Sequence, residues 1–226
     1  MSEQDFPPPH PVQFHGSRLA RALLSLAGWH IHFHGFPGRQ GVAVVYPHTS
    51  NWDFIVLVMV KWATGIQACF WGKDSLFRVP LFGQWLRWLG GLPINRGSPQ
   101  GVVGAMVTRF QEAKAQDRYL WLGLAPEGTR RLQAGWRSGF YGVTVQSQVP
   151  LALVRLDYGR REVRIDQFIR LSGQADIDYP RMARAFEGVL GYHPDQAAPI
   201  RPMERTASES IESLSTHPVS QPTDKT

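Results

Sequence analysis

The stretch 41-GVAVVYPHTSNWDFIVLVMVKWA-63 joins two kinds of structure through a short polar turn. Residues 41–46 are small or β-branched and apolar, and they run into Pro47, which has no N–H to give to a sheet. This reads as a buried strand. Ser50 or Asn51 can start a helix, with Asp53 in its first turn. The continuation, 54-FIVLVMVKWA-63, is apolar nearly all round, so this helix is buried or faces lipid.

The same rhythm repeats on both sides. Upstream, 17-SRLARALLSLAGWH-30 places Leu19, Leu23 and Leu26, with Ala20 and Ala27, at helical spacing between Arg18 and Arg21, and Ser17 can cap it. It is expected to be an amphipathic helix that packs on the core, docks on a membrane surface, or does both. The segment 29-WHIHFHGF-36 alternates and reads as a half-buried strand. Downstream, strands are expected at 66–72, 91–95, 118–126, 150–158 and 161–169. Helices are expected at 80–90, 99–116, 138–148 and 180–190. Strands alternating with helices imply an α/β fold: a single domain with a mostly parallel central sheet flanked by helices. Residues 1–16 are expected to be disordered, 17–193 to form the domain, and the Ser, Thr, Pro and Gln-rich residues 194–226 to be a disordered tail.

With 226 residues, 43% of them apolar, the chain has material for one full core. No window is apolar for long enough to span a bilayer, and the acidic, Pro-rich start does not resemble a secretory signal. The single cysteine, Cys69, rules out an internal disulfide. A net charge of +6 suits nucleic acid, an anionic membrane or a phosphorylated small molecule. The eight tryptophans favour an interface with lipid, because indole has an apolar body and a polar edge.

In sheets of this kind functional residues gather beyond strand carboxyl ends. His48 lies just past such an end, and Asp53 follows five positions later. A carboxylate that accepts one ring N–H fixes the histidine tautomer and stabilises the imidazolium formed when the other nitrogen takes a proton. That is the arrangement of a general base for a hydroxyl. The alternative is a strand-end histidine beside an aspartate that only caps a helix. His30, His32 and His34 share one strand face, but no cysteine or carboxylate joins them at ligand spacing, and a solvated polar face explains them. In 93-PINRGS-98 an arginine at a strand end suits an anion, since its guanidinium forks onto phosphate oxygens. In 125-APEGTRR-131 a glycine allows close ligand approach and the arginines bring charge, while Glu127 can hold a cation or a substrate hydroxyl. The alternative for this stretch is a turn with solvated arginines. Val149 and Pro150 open an apolar strand.

Taken in order, His-x-x-x-x-Asp, Arg-Gly, Pro-Glu-Gly-Thr-Arg and Val-Pro resemble the blocks of the glycerolipid acyltransferase family, which includes the 1-acylglycerol-3-phosphate acyltransferases. The resemblance covers roughly residues 40–155 and takes in 72-GKDSLFRVPLFGQWLRWLGGLPINRG-97. It implies that His48 is the catalytic base and Asp53 its orienting carboxylate. It implies that Arg96, followed by Gly97, binds the acceptor's phosphate, with Lys73 a further phosphate contact. By the same resemblance Glu127, Gly128, Thr129 and Arg130 shape the acceptor site, and Val149 and Pro150 belong to the acyl-donor side. Two departures stand out: Ala125 occupies a position that is usually aromatic, and the long hydrophobic N-terminal segments of many members are absent from this sequence.

The expected activity is direct transfer of a fatty acyl chain from acyl-CoA or acyl-carrier protein to a hydroxyl of a lysophospholipid, without a metal or other cofactor. The expected location is the cytoplasmic face of a membrane, held peripherally, with no nucleic-acid partner. Two rivals remain open: a metal-dependent phosphoesterase built on His30, His32, His34, His48 and Asp53, and a non-catalytic module that binds anionic lipid.

Overall fold

In the computed structural model, which describes residues 15–94 and 99–203, the 41–46 segment is the middle strand of a seven-stranded sheet. The strands are β1 (His30–Phe33), β2 (Gln40–Tyr46), β3 (Ala68–Lys73), β4 (Gly91–Ile94), β5 (Leu120–Leu124), β6 (Leu151–Asp157) and β7 (Glu162–Ile169). Their order is β1-β7-β6-β2-β5-β3-β4, and only the β6–β7 pair is antiparallel.

Strand β2 is apolar on both faces because both are covered. Val42, Val44 and Tyr46 point into one core with Phe110, Trp136, Phe140 and Met182. Ala43 and Val45 point into the other with Leu24, Val56, Val60 and Trp121. Gly41 sits at the start of the strand because a side chain there would collide with Trp121, whose ring lies 2.3 Å from where a Cβ would stand.

The second core is roofed by helices α1 (Arg18–Leu26) and α2 (Asn51–Thr64). The first is covered by α5 (Pro99–Ala115), α6 (Gly139–Ser147) and α7 (Ala175–Ala185). Two short helices, α3 (Asp74–Phe77) and α4 (Phe82–Trp88), fold beside β3 and β4 and bury Phe77 and Leu86 between them.

Ser17 caps α1, its hydroxyl accepting the Ala20 N–H, and Arg21 ties the helix to the Ala63 carbonyl of α2. The buried face of α1 is Ala20 and Leu24, whereas Leu19, Leu23 and Leu26 point outward. The leucine stripe read in the sequence therefore does not enter the core.

Two expectations need correction, and one helix was not expected at all. Helix α7 begins at Ala175, not Pro180, and carries Pro180 inside it. Its start is set by Asp178, whose buried carboxylate accepts the N–H groups of Ser172 and Gly173 and the hydroxyls of Ser172 and Tyr141. That clamp bends the preceding loop onto the first turn. The short helix α3 had no reading of its own in the sequence. Finally, the chain from Pro194 to Met203 is not a detached tail. It makes a 3-10 turn at Pro194–Gln196, buries Ala198 completely and pairs Pro202 with Trp136. Short apolar and backbone contacts hold it, and these leave little mark on composition. Residues 1–14 and 204–226, expected to be disordered, lie outside the described residues.

Candidate active site

Strand β2 ends at Tyr46, in the middle of the sheet, at the edge where the parallel strands have their carboxyl ends. The chain leaves through Pro47 and reaches the α2 cap at Ser50, whose hydroxyl accepts the Trp52 N–H. A capping box completes the helix start: Asp53 Oδ2 accepts the Ser50 N–H at 2.8 Å. The same oxygen accepts the Thr49 N–H at 2.7 Å and lies 3.0 Å from His48 Nδ1. Helix cap and histidine partner, the two readings of Asp53, are thus one arrangement.

Asp53 is completely buried, and the His48 side chain is 18% exposed. Burial alone would raise the Asp53 carboxyl. The adjacent His48, the Ser50 N–H and the nearby Tyr158 phenol together outweigh it and hold Asp53 below the usual carboxylate range. An ionised Asp53 facing Nδ1 keeps the proton there. The other ring nitrogen is then the one free to take a proton from a hydroxyl.

The 125–131 stretch follows β5, the strand beside β2. Glu127 is 1% exposed and turned inward. Its Oε2 accepts the His48 N–H at 2.6 Å and its Oε1 accepts the Ala198 N–H at 3.0 Å. Each oxygen accepts one backbone N–H, so Glu127 fastens the His48 loop to the stretch around Ala198. Burial, then the nearby Asp53 charge, push it up to about 7 against the pull of its two N–H donors. The Tyr46 hydroxyl donates to the Ala198 carbonyl, and the His193 N–H donates to Thr49 Oγ1. Residues 190–198 therefore form a strap across the His48 loop.

Gly128 has φ +70°, a left-handed conformation that favours glycine. A Cβ there would also stand 2.6 Å from Arg137 Nε, so the Arg137 side chain lies across the turn. Thr129 is half-buried and Arg130 exposed on the same turn. Lys73 is exposed at the carboxyl end of β3, two strands from β2. Arg96 and Gly97, which follow β4, lie outside the described residues.

Val149 and Pro150 are at the opposite edge of the sheet. Val149 is buried in the core, and the Pro150 carbonyl accepts the Val42 N–H. That point is about 20 Å from His48 at the usual rise of a strand.

The histidines of β1 do not join the site. Strand β1 is three positions from β2, about 14 Å at ordinary strand spacing. Among the described residues no three His, Cys, Asp or Glu side chains gather as metal ligands would. Cys69 offers no nucleophile: burial pushes its thiol up to about 11, and its Sγ lies 3.3 Å from the Trp121 carbonyl oxygen.

Sequence reasoning missed Arg137, Tyr158, His193 and Ala198. Arg137 had a faint signal, a basic residue just ahead of a helix. Ala198 acts through its backbone and had none.

A model of the acyltransferase family matches residues 13–155, and the chain belongs to that family. Two curated relatives are named 1-acyl-sn-glycerol-3-phosphate acyltransferase. The Streptococcus pneumoniae protein is 30% identical over 118 residues, which span 49% of this chain and 42% of that one. The Salmonella typhimurium protein is 27% identical over 127 residues, 53% of this chain and 48% of that one. The matched region thus spans less than half the length of these relatives. Among solved structures, the 1-acyl-sn-glycerophosphate (LPA) acyltransferase of Thermotoga maritima aligns over 89% of this chain and 78% of its own, with 13% identity and a TM-score of 0.45.

Proposed function

We propose that this member of the acyltransferase family moves a fatty acyl chain from acyl-CoA or acyl-carrier protein to a hydroxyl of a lysophospholipid such as 1-acylglycerol-3-phosphate. The observation that carries the reading is the 3.0 Å contact between His48 Nδ1 and the fully buried Asp53 carboxylate. The names of the curated relatives support the choice of acceptor.

In this reading neutral His48 holds its proton on Nδ1 against Asp53. Its other nitrogen takes the proton of the acceptor hydroxyl as the oxygen attacks the thioester carbonyl. The tetrahedral adduct expels the thiolate, which receives that proton from His48. Donor and acceptor are bound together, and holding them in place supplies much of the rate. No covalent enzyme intermediate is needed, in keeping with the raised pKa of Cys69. Arg96, Arg130 and Lys73 are assigned to the acceptor phosphate by their resemblance to the family blocks.

The protein is assigned to the inner face of a membrane, held peripherally. No helix among the described residues is long and apolar enough to cross a bilayer. Supporting a surface attachment are the outward side chains of Leu19, Leu23 and Leu26 on α1, Trp52 and Ile55 on α2, and Trp88 on α4.

The test is thiol release from palmitoyl-CoA with and without lysophosphatidic acid. Acceptor-dependent release with a diacyl product, lost in His48→Ala, is the expected result. Release that ignores the acceptor means a thioesterase. If neither palmitoyl-CoA nor acyl-carrier protein serves as donor, and lipid binding survives His48→Ala, the protein is a binding module.

A further inference from the structure

Arg137 lies back across the turn that ends β5. Its N–H donates to the Pro126 carbonyl at 2.9 Å. Its side chain crosses Gly128 so closely that a Cβ there would stand 2.6 Å from Nε and 2.7 Å from Cδ. Glycine at this position therefore makes room for the arginine as well as for the left-handed φ.

The root of Arg137 is fixed on both sides. Trp136 is fully buried, its N–H donates to the Arg201 carbonyl, and its own carbonyl accepts the Met203 N–H. Phe140, in the first turn of α6, is buried in the same core. The Arg137 side chain between them is exposed. Helix α6 runs back to the start of β6, so Arg137 stands at the carboxyl edge of the sheet, where His48 is. Glu127 links the two. Its chain neighbour Gly128 lies under Arg137, and its Oε2 accepts the His48 N–H at 2.6 Å.

The charge around this turn is one-sided. Residues 125–137 contain Arg130, Arg131 and Arg137 against a single carboxylate, Glu127. That carboxylate is buried, with a backbone N–H on each oxygen. None of the ion pairs among the described residues involves Arg130, Arg131 or Arg137. Unpaired positive charge at the rim of a site attracts anions, and a guanidinium forks onto phosphate oxygens.

We infer that Arg137 binds the phosphate of the acceptor, its guanidinium held across the Gly128 turn while the acceptor's hydroxyl faces His48. The inference rests on the acyl-transfer reading. Both substrates carry phosphate, but only one carries it close to the reacting atom. In 1-acylglycerol-3-phosphate the free hydroxyl and the phosphate ester are on adjacent carbons, so the phosphate must bind near the base. In acyl-CoA the whole pantetheine arm separates the thioester from the nearest phosphate. A cation tied to the His48 loop through one glutamate side chain suits the short spacing.

The experiment compares the full chain with Arg137→Gln and Arg137→Lys, varying lysophosphatidic acid and palmitoyl-CoA separately. Arg137→Gln is expected to raise KM for lysophosphatidic acid roughly 10- to 100-fold, with kcat little changed and KM for palmitoyl-CoA unmoved. Arg137→Lys keeps the charge and loses the fork, so a smaller rise in the same KM is expected. Equilibrium binding of lysophosphatidic acid, measured without donor, weakens in the same order. An unchanged KM for lysophosphatidic acid in both variants overturns the inference. A rise confined to KM for palmitoyl-CoA also overturns it and assigns Arg137 to the donor's phosphates. If Arg137→Gln melts well below wild type, the Arg137→Lys values decide. Failure of the acyl-transfer reading looks different: wild type makes no diacyl product, while the binding of lysophosphatidic acid still tests Arg137. Equal binding by wild type and both variants overturns the inference there too.

Discussion

His48 Nδ1 lies 3.0 Å from the Asp53 oxygen that also accepts the N–H groups of Thr49 and Ser50. The helix cap therefore aims the carboxylate. The hydrogen bonds that fix the start of α2 leave Asp53 no freedom to turn away from the imidazole. Stability and chemistry are coupled at this residue and separable at its neighbour.

Ser50→Ala removes only the serine half of the cap. It is expected to cost about 1 kcal/mol of stability and to leave acyl transfer near wild type. Asp53→Ala leaves two buried N–H groups unpaired and strips His48 of its partner. It is expected to cost about 1–3 kcal/mol and to reduce kcat by roughly 100-fold or more. Denaturant melts and steady-state rates on both variants check the separation. Equal activity losses would break it.

Asp53 is held below the ordinary carboxylate range, so its ionised form is favoured by folding. Its contribution to stability is fully present above about pH 4 and is lost as pH falls through the lower folded value. The stability gap between wild type and Asp53→Asn is therefore expected to narrow on acidification below about pH 4. Thermal melts of the two proteins in a pH series measure that gap directly.

Glu127 has the opposite sign. Its folded value is pushed up to about 7, above the ordinary range near 4.5, so the folded state keeps a proton that the unfolded state has released. Its contribution falls as pH rises from about 4.5 to 7 and is level beyond. Glu127→Gln offers one carbonyl to two N–H donors and sets its own NH₂ against the other. A loss of about 1–3 kcal/mol is expected, largest near pH 5 and smaller by pH 7. Because His48 is one of the two donors, kcat is expected to fall as well. A Gln variant with wild-type melting and rate would show that the buried carboxylate does not hold the loop.

Leu26 is 87% exposed and Trp88 is 72% exposed. Replacing both with glutamate is expected to change stability by less than about 0.5 kcal/mol at each site. Flotation with anionic vesicles is expected to drop sharply, since apolar contact is lost and repulsion added. Unaltered flotation would remove α1 and α4 from the membrane-facing surface.

The parts of the fold that could be read from sequence are those where local chemistry and final environment agree. Pro47, Ser50 and Asp53 mark a strand end, a cap and a first turn, and each does that in the structure. The alternation of Ile31 and Phe33 with three histidines likewise gave β1 its inner and outer faces. What was not legible depends on distant partners. Glu127 meets N–H groups 79 and 71 positions away, and a backbone N–H has no signature in a sequence. Pro180 suggested a helix start, but Asp178 begins α7 earlier by gripping a loop. The outward leucines of α1 show the limit of periodicity. Spacing reveals that a stripe exists but not whether protein covers it.

The strap has a consequence for the order in which the protein becomes competent. The chain is synthesised from its amino end, and Tyr46 precedes its partner Ala198 by 152 residues. A nascent chain carries His48 and Asp53 side by side from early on. It lacks the Ala198 tie to Glu127 and Tyr46 until the last part of the fold has left the ribosome. The ties that hold the His48 loop from this side are thus completed only after residue 198 has been made.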